Sequence, residues 1–587
     1  MRSTASRKPV TRRRVTGTTL AAVLTAAVTL AFPAAARAAL SGESGQLTRA
    51  PYLTDLTAAS VNVNWGTVAQ SRGSVSYGPI GNCAANSLVS TKLGSPITVN
   101  GVTEYQNSVT LTGLAADTAY CYRVYTGGSS PIDLLGTNPS PVFTTLEGAA
   151  AGRPFTFAVM GDWGDTTNSG VNDGSLNTNQ AGVDAQIAAS GARFVVSTGD
   201  VGYPSGSSTN LGDLYQTGAN VSAVFGPSYW ATPGLSVPVY STSANHGQNS
   251  TFLWTWPETN IAAGGVYAMV PYPSIDGSTP GSYPTSYYAF TTGGVRFYVL
   301  DMSWGNSNVG TATGGACGSH CAIYQVDHDA HWTTSSAEYQ WLTADLAAHP
   351  GGIKVAFFHF PLRSDDATEP DDQYLDATAG STGSIEQLLK DGGVGLVFNG
   401  HAHDYQRNVA PPYGLVSYVT GGGGGSASSI GGHGCESTDA YAIGWSYSKA
   451  KGNACGAATP PTSDAHVYHF LSVTVNGSVV SVAPTDSTGA VFDPYSYDLA
   501  PDGTPPTAPS GLTVTSSGTA RVLSWAAAAD NVQLGAYDVY RDGAYLATVD
   551  PRSLGYKDAA AGGVAHTYYV IARDIAGNTS ASRSARR

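Results

Sequence analysis

Five short patterns in the middle of this chain have residue types and an order that could do chemistry together. They are Asp162 with Gly164, Gly199 with Asp200 and Tyr203, Asn245 with His246, His359 after the run Val355–Phe358, and Gly400 with His401 and His403. Carboxylates that can bridge, and imidazoles that can complete a coordination sphere, are the donors a hard, highly charged dinuclear metal site needs. Taken singly, the patterns are weak. A Gly-Asp pair after a strand is more often a turn, and a buried histidine such as His359 is more often a satisfied core residue. His401 and His403 say more. Alternate positions after a strand aim two imidazoles at one locus, and Gly400 permits a close backbone approach. Five such patterns, in order and all at strand ends, make coincidence a poor account.

Positioning these residues calls for a layered α/β domain, in which reactive groups gather on loops beyond the carboxyl ends of strands. Apolar runs at Phe155–Met160, Arg193–Thr198, Val295–Leu300, Ile353–Phe358 and Val394–Phe398 read as buried strands. Helical patterns over Ala181–Ala189, Ala337–Ala348 and Ile385–Lys390 alternate with them, giving a domain from 153 to about 484. Ahead of it, residues 46–147 carry alternating runs at 60–65, 74–77, 108–112 and 119–125, separated by Gly, Asn and Ser turns. That pattern predicts an antiparallel immunoglobulin-like or fibronectin-like sandwich with Trp65 in its core. Beyond Pro505–Pro509, the runs Ala520–Trp525, Ala536–Tyr540 and Thr567–Ala572 resemble a fibronectin type III module over 505–587. Such a module reads as a spacer. It supplies no catalytic constellation, but it offers a surface for cell-wall or polysaccharide association.

The five blocks resemble those of the purple acid phosphatases within the calcineurin-like metallophosphoesterases, which read D-x-G, G-D-x-x-Y, G-N-H-(D/E), V-x-x-H and G-H-x-H. Tyr203 stands where that family places its distinguishing tyrosine, and the likeness runs from Arg49–Leu53 to about Pro484. The resemblance implies a multidomain α/β plus all-β protein: a central α/β/β/α metallophosphoesterase sandwich flanked by two immunoglobulin/fibronectin-like β-sandwiches. It also implies a binuclear centre. Iron(III) would be held by Asp162, Asp200, Tyr203 and His403, and a divalent metal (Zn, Fe or Mn) by Asp200, Asn245, His359 and His401, with Asp200 bridging. Phenolate suits a trivalent cation, because coordination offsets the cost of ionising a group whose free pKa is about 10. A purple charge-transfer band is the visible consequence. The implied activity is that of a secreted acid phosphatase that hydrolyses phosphate monoesters by attack of metal-activated water or hydroxide. Its two cations, about 3.5–4 Å apart, clamp the phosphoryl oxygens, and His246 assists the leaving oxygen.

Two departures bear on substrate handling. The third block reads Ala244, Asn245, His246, Gly247, without the family's Gly and acidic residue. No histidine pair follows His359, which leaves Arg363, His320, His328 and His331 as substitutes or as ordinary surface and structural residues. Two competing readings stay open. One is a phosphodiesterase or nucleotidase on the same metals. The other is a decayed cell-surface protein whose β modules bind, which the complete ligand set speaks against.

Composition bounds the rest. Charged residues make up 12% of the 587 and glycines number 71; the charged share is roughly half the globular norm. This excludes a coiled coil or long helical bundle and fits a loop-rich exported chain. Residues 1–38 hold seven basic and no acidic residues, so their removal takes the net charge from −13 to −20. A basic start, an apolar stretch from about Leu20 to Phe32 and small residues around Ala36 and Ala38 read as a secretory signal, with Arg12–Val15 also resembling a twin-arginine signal. The apolar stretch falls short of the roughly 20 residues a membrane span needs. The acidic remainder repels nucleic acid and anionic membranes, so positive charge for a phosphorylated small-molecule substrate must come from metals. Six cysteines predict up to three disulfides; of the roughly fifteen connectivities the sequence allows, proximity favours Cys83–Cys121, Cys317–Cys321 and Cys435–Cys455, with a zinc site at the middle pair as the competitor. The run Gly421–Gly425 lacks the Lys-Ser/Thr ending of a P-loop and reads as a tight turn at the site's rim.

Overall fold

Alternation along the central strands sends side chains into two different cores. In the strand Phe155–Met160, Phe157 and Val159 join the core between two sheets, while Ala158 and Met160 join one on the outer face. The strand Ile353–Phe357 does the same, with Val355 and Phe357 inward and Ala356 outward. A strand buried on both faces must read as a continuous apolar run, and such strands pair in parallel beneath helices. The computed structural model describes residues 44–149, 152–165, 177–203, 208–215, 224–226, 233–242, 244, 287–302, 333–366, 384–431 and 434–587, with the backbone of the paired strands Thr259–Ile261 and Tyr267–Met269.

Two sheets face each other. One runs, in spatial order, through Tyr288–Thr292, Val295–Val299, Ile353–Phe357, Leu396–Asn399, Val416–Thr420, Tyr405–Asn408, Asp439–Ser446 and Lys451–Gly456. The four strands from Val295–Val299 to Val416–Thr420 are mutually parallel. In the other, Phe155–Met160, Val195–Ser197 and Val239–Ser241 are parallel, and His469–Asn476, Val479–Asp486 and Tyr495–Asp498 add on antiparallel, carrying the sheet past Pro484. Aromatic rings close the gap between the sheets: Phe157 meets Phe297 edge-on at 5.1 Å, and Phe194 meets Phe290 at 5.8 Å. The helix Thr178–Ala189 covers one outer face through Val183 and Ile187, and the helices Ala337–Ala348 and Ile385–Asp391 cover the other through Leu342, Leu346, Ile385 and Leu389. Each helix starts at a side-chain cap, Asn177, Ser336 or Ser384, whose oxygen accepts a backbone N–H of the first turn.

The N-terminal region does form two sheets around Trp65, Val75, Tyr122 and Val124, but one of them is not its own. Leu47–Thr54, Ser60–Thr67, Val102–Thr112 and Ser95–Val99 continue the second central sheet, joined at the single parallel pair Thr54 to Val239. The C-terminal region packs a three-stranded sheet (Ser510–Ser517, Ala520–Ala526, Gly555–Asp558) on a four-stranded one (Ala544–Val549, Leu534–Arg541, Thr567–Asp574, Arg583–Arg586) around Leu523, Trp525, Tyr537, Val539, Tyr568 and Val570. Disulfides join Cys83 to Cys121 and Cys435 to Cys455. Cys317 and Cys321 lie outside the described residues, as do 1–43. Among the described residues, no helix is long and apolar enough to cross a membrane.

Candidate metal centre

The predicted residues sit two to four positions past the carboxyl ends of parallel strands. Asp162 follows Phe155–Met160, Asp200 follows Val195–Ser197, His359 follows Ile353–Phe357, and His401 and His403 follow Leu396–Asn399. The first two loops are tied across the sheet, with the Asp162 N–H bonded to the Gly199 carbonyl and the Trp163 N–H to that of Asp200, both at 3.0 Å. Asp162, Asp200 and His401 adopt left-handed backbone, with φ of 59°, 47° and 70°. Only eight non-glycine residues do so among the described residues. Three of the eight are candidate ligands, and backbone strain of that kind concentrates where a site over-determines the chain.

One phenol ties the first cluster. Tyr203 Oη lies 2.9 Å from Asp162 Oδ1, 3.0 Å from Asp200 Oδ2 and 2.8 Å from His403 Nε2. The second cluster meets the first at Asp200, whose Oδ2 is 3.3 Å from His359 Nε2. Ligand atoms of Asp200, His359 and His401 all fall within 4.8 Å of one another. Asp200 therefore stands between a Tyr203/His403 group and a His359/His401 group, the place of a bridging carboxylate. The far nitrogens of two imidazoles are fixed by main-chain carbonyls: His359 Nδ1 is 2.8 Å from Thr198 O, and His403 Nδ1 is 3.0 Å from Ser426 O. A carbonyl can only accept, so Nδ1 carries the proton and the Nε2 lone pair of each neutral ring faces the centre, the orientation ligating histidines use.

Metal-free, the cluster holds protons. Burial, then Asp162 and Asp200, push the Tyr203 phenol well above its usual range. For His359, burial opposes the imidazolium, but Asp200, Asp162 and the Thr198 carbonyl outweigh it and the pKa rises. Burial likewise opposes His403, yet its contact with Asp162 and the Ser426 carbonyl carries it up to about 10. Asp162 and Asp200 are 0% and 1% exposed. Two buried carboxylates that draw protons onto a phenol and imidazoles form a donor set fitted to hard cations.

Glycines let the layers close on the centre. A Cβ on Gly400 would come 2.6 Å from Asp162 Oδ2 and 2.8 Å from Thr198 Oγ1, while its neighbour's N–H donates to that same Oδ2 at 2.9 Å. The run Gly421–Gly425 is a buried floor of the site and not the rim turn its sequence predicts. Gly423 N–H bonds the Gly161 carbonyl at 2.9 Å and Gly425 N–H that of Asp162 at 2.6 Å, while a Cβ on Gly425 would lie 2.6 Å from His403 Cε1. Arg363, 6% exposed, is bound to both Glu386 oxygens at 2.8 and 2.9 Å, so it is a buried structural cation and not a substrate ligand. Ala244 is buried beside Gly199, but Asn245, His246 and Gly247 lie outside the described residues, as do His320, His328 and His331. Sequence reasoning missed the Thr198 and Ser426 carbonyls, which carry no side-chain signal, and His469. The latter, held neutral by burial at a pKa of about 4, contacts Thr420 Oγ1 at 3.1 Å under the glycine floor.

Comparison with known proteins assigns residues 50–145 to the purple acid phosphatase N-terminal domain and residues 155–405 to the calcineurin-like phosphoesterases. Purple acid phosphatase 15 of Arabidopsis thaliana is 29% identical over 153 residues, 24% of this chain and 23% of its own length. Chitinase A1 of Niallia circulans is 41% identical over 81 residues, 14% of this chain and 11% of the relative. The chain thus spans less than a quarter of the length of these curated relatives. Among solved structures, purple acid phosphatase PPD1 from yellow lupin (Lupinus luteus) seeds aligns with a TM-score of 0.49 at 15% identity, covering 77% of this chain and 74% of that one.

Proposed function

For a chain that carries a calcineurin-like metallophosphoesterase domain behind a purple acid phosphatase N-terminal domain, we propose the activity of a secreted acid phosphatase acting on phosphate monoesters through a binuclear centre. The observation that carries this reading is the Asp200 carboxylate, shared between the Tyr203/His403 group and the His359/His401 group. Asp162, Asp200, Tyr203 and His403 would hold iron(III), and Asp200, His359, His401 and Asn245 a divalent ion. When bound, such a pair supplies positive charge for the phosphoryl oxygens and activates water for in-line attack.

The chain's own groups set the conditions for that chemistry. The Thr198 and Ser426 carbonyls hold the His359 and His403 rings in one tautomer and one orientation. Burial of Asp162 and Asp200 excludes water from the carboxylates, so their charge acts undiluted on whatever cation they receive. His246 would hold a proton for the leaving oxygen. Two disulfides among the described residues support export to an oxidising compartment.

The test is metal analysis and a pH profile of aryl phosphate hydrolysis on the purified full chain, with a phosphodiester assayed in parallel. Two metals per chain, a visible band and a monoester preference in acid are expected. A chain that stays inactive and colourless after iron and zinc are supplied overturns the proposal. A diester preference moves the assignment to a phosphodiesterase on the same site.

A further inference from the structure

The C-terminal module is docked on the catalytic domain through buried charge, and the docking point lies on the strand that leaves the metal centre. Tyr405–Asn408 begins two residues after His403. Its ladder with Val416–Thr420 and Asp439–Ser446 sets register, while Tyr405 and Arg407, two positions apart, share one of its faces. Arg407 is 1% exposed. Its Nε and Nη2 donate to Asp493 at 2.7 and 2.9 Å, and Nη1 reaches Asp550 of the module at 3.4 Å. Tyr405 Oη donates to the same Asp493 oxygen at 2.9 Å, so one carboxylate latches two side chains of the strand.

Across the boundary the arrangement is mirrored. Asp550 accepts from Arg552 Nε and Nη2, each at 2.9 Å, and the Tyr495 ring lies between the two guanidiniums, 4.6 Å from Arg407 and 5.0 Å from Arg552. Arg573 of the module donates to the Ala410 carbonyl at 2.5 Å, just past the strand, and Gln533 bonds Ser496 O and Asp498 N at 2.9 and 2.7 Å. Two arginines alternate with two carboxylates, one of each from either side. A guanidinium buried this deeply must have its donors met by fixed acceptors, and Asp550 meets the edge that Asp493 leaves over.

We propose that Asp550 is a positioning residue of the metal centre: by completing the shell of Arg407 it fixes the tilt of Tyr405–Asn408 and hence the seats of His401 and His403. The inference rests on the metal-centre reading above. Residues that act on a site only through intervening packed elements typically change its coupling by about 2–30-fold when replaced. In the full chain, Asp550→Ala is expected to release iron to a chelator about fivefold faster and to shift the visible band. It should also lower kcat more than it changes KM, with Asp550→Glu restoring most of the loss. Arg552→Gln, at a half-exposed site, keeps the fold while loosening Asp550, and should move the same readouts in the same direction by about twofold. Release rates and spectra that match the wild type in both alanine and glutamine variants overturn the inference, whatever happens to melting temperature. A wild-type chain that takes up no metal overturns the metal-centre reading itself.

Discussion

Replacing Tyr203 with phenylalanine removes one oxygen from the middle of the candidate centre and leaves the ring. In the metal-free protein that oxygen has one hydrogen and three neighbours, at 2.9 Å (Asp162), 3.0 Å (Asp200) and 2.8 Å (His403). It donates to one carboxylate and accepts from His403, whose imidazolium persists up to about 10. Hydrogen bonds to charged groups contribute about 1.5–3 kcal/mol each, so the gross loss is about 3–6 kcal/mol. His403 keeps Asp162 at 3.4 Å, which recovers part of this, and about 2–3 kcal/mol of net destabilisation of the chelated protein remains. Urea unfolding of chelated wild type and Tyr203→Phe at pH 6 reads that number. The metal-loaded variant should also lose its phenolate-to-iron band and hold iron at least tenfold more weakly. A variant whose chelated form unfolds with the wild type refutes the hydrogen-bond geometry, and one that keeps the visible band refutes Tyr203 as a ligand.

Metal uptake should release protons, because Tyr203 and His403 are both protonated at neutral pH without metal. Calorimetry in two buffers of different ionisation enthalpy should report at least about two protons per loaded chain at pH 7, with His359 adding to them because its pKa is raised as well, and no release would contradict the assignment. The sign for stability follows from the raised His403 value. Its contribution to the metal-free fold is fully present below the unfolded pKa of about 6.5 and fades as pH rises to about 10. Chelated protein should therefore resist urea better at pH 6 than at pH 10, and a flat profile speaks against the His403–Asp162 contact. Gly425→Ala drives a methyl to 2.6 Å from His403 Cε1, so metal affinity should fall about tenfold with an unchanged far-ultraviolet spectrum; full retention shows that the floor can retreat. Asp493→Ala strips Arg407 of its bidentate partner in a site 1% exposed, and breaking a buried pair costs about 3–5 kcal/mol. Unfolding within 1 kcal/mol of wild type, roughly the median of an exposed pair, would place the network at the surface.

What the chain determined by itself is local. The strand Phe155–Met160 and the helix Ala337–Ala348 are found where periodicity places them, and Ile385–Asp391 runs one residue beyond its expected end. Residues buried on both faces of a parallel strand must read as apolar runs, and caps such as Ser336 and Ser384 sit in the sequence beside the helices they start. Asp162, Asp200, His359, His401 and His403 were legible for the same reason, since each follows the end of its strand by two to four positions. Features that depend on distant partners were not legible. The strands Tyr405–Asn408 and Lys451–Gly456 carry too many polar residues to announce themselves, and they form because a sheet edge is there to pair with. The join of Thr54 to Val239 hides in a single pair of residues, and the docking of Arg407 against Asp493 and Asp550 spans 86 and 143 residues. Main-chain carbonyls at Thr198 and Ser426 orient the histidines without any side-chain signature, and the left-handed φ of Asp162, Asp200 and His401 arises from loops tied across neighbouring strands. Composition and spacing chose the donors because those are properties of consecutive residues. Only the packed sheets could decide which atoms of those donors face one another, because that geometry is imposed by neighbours far away in the chain.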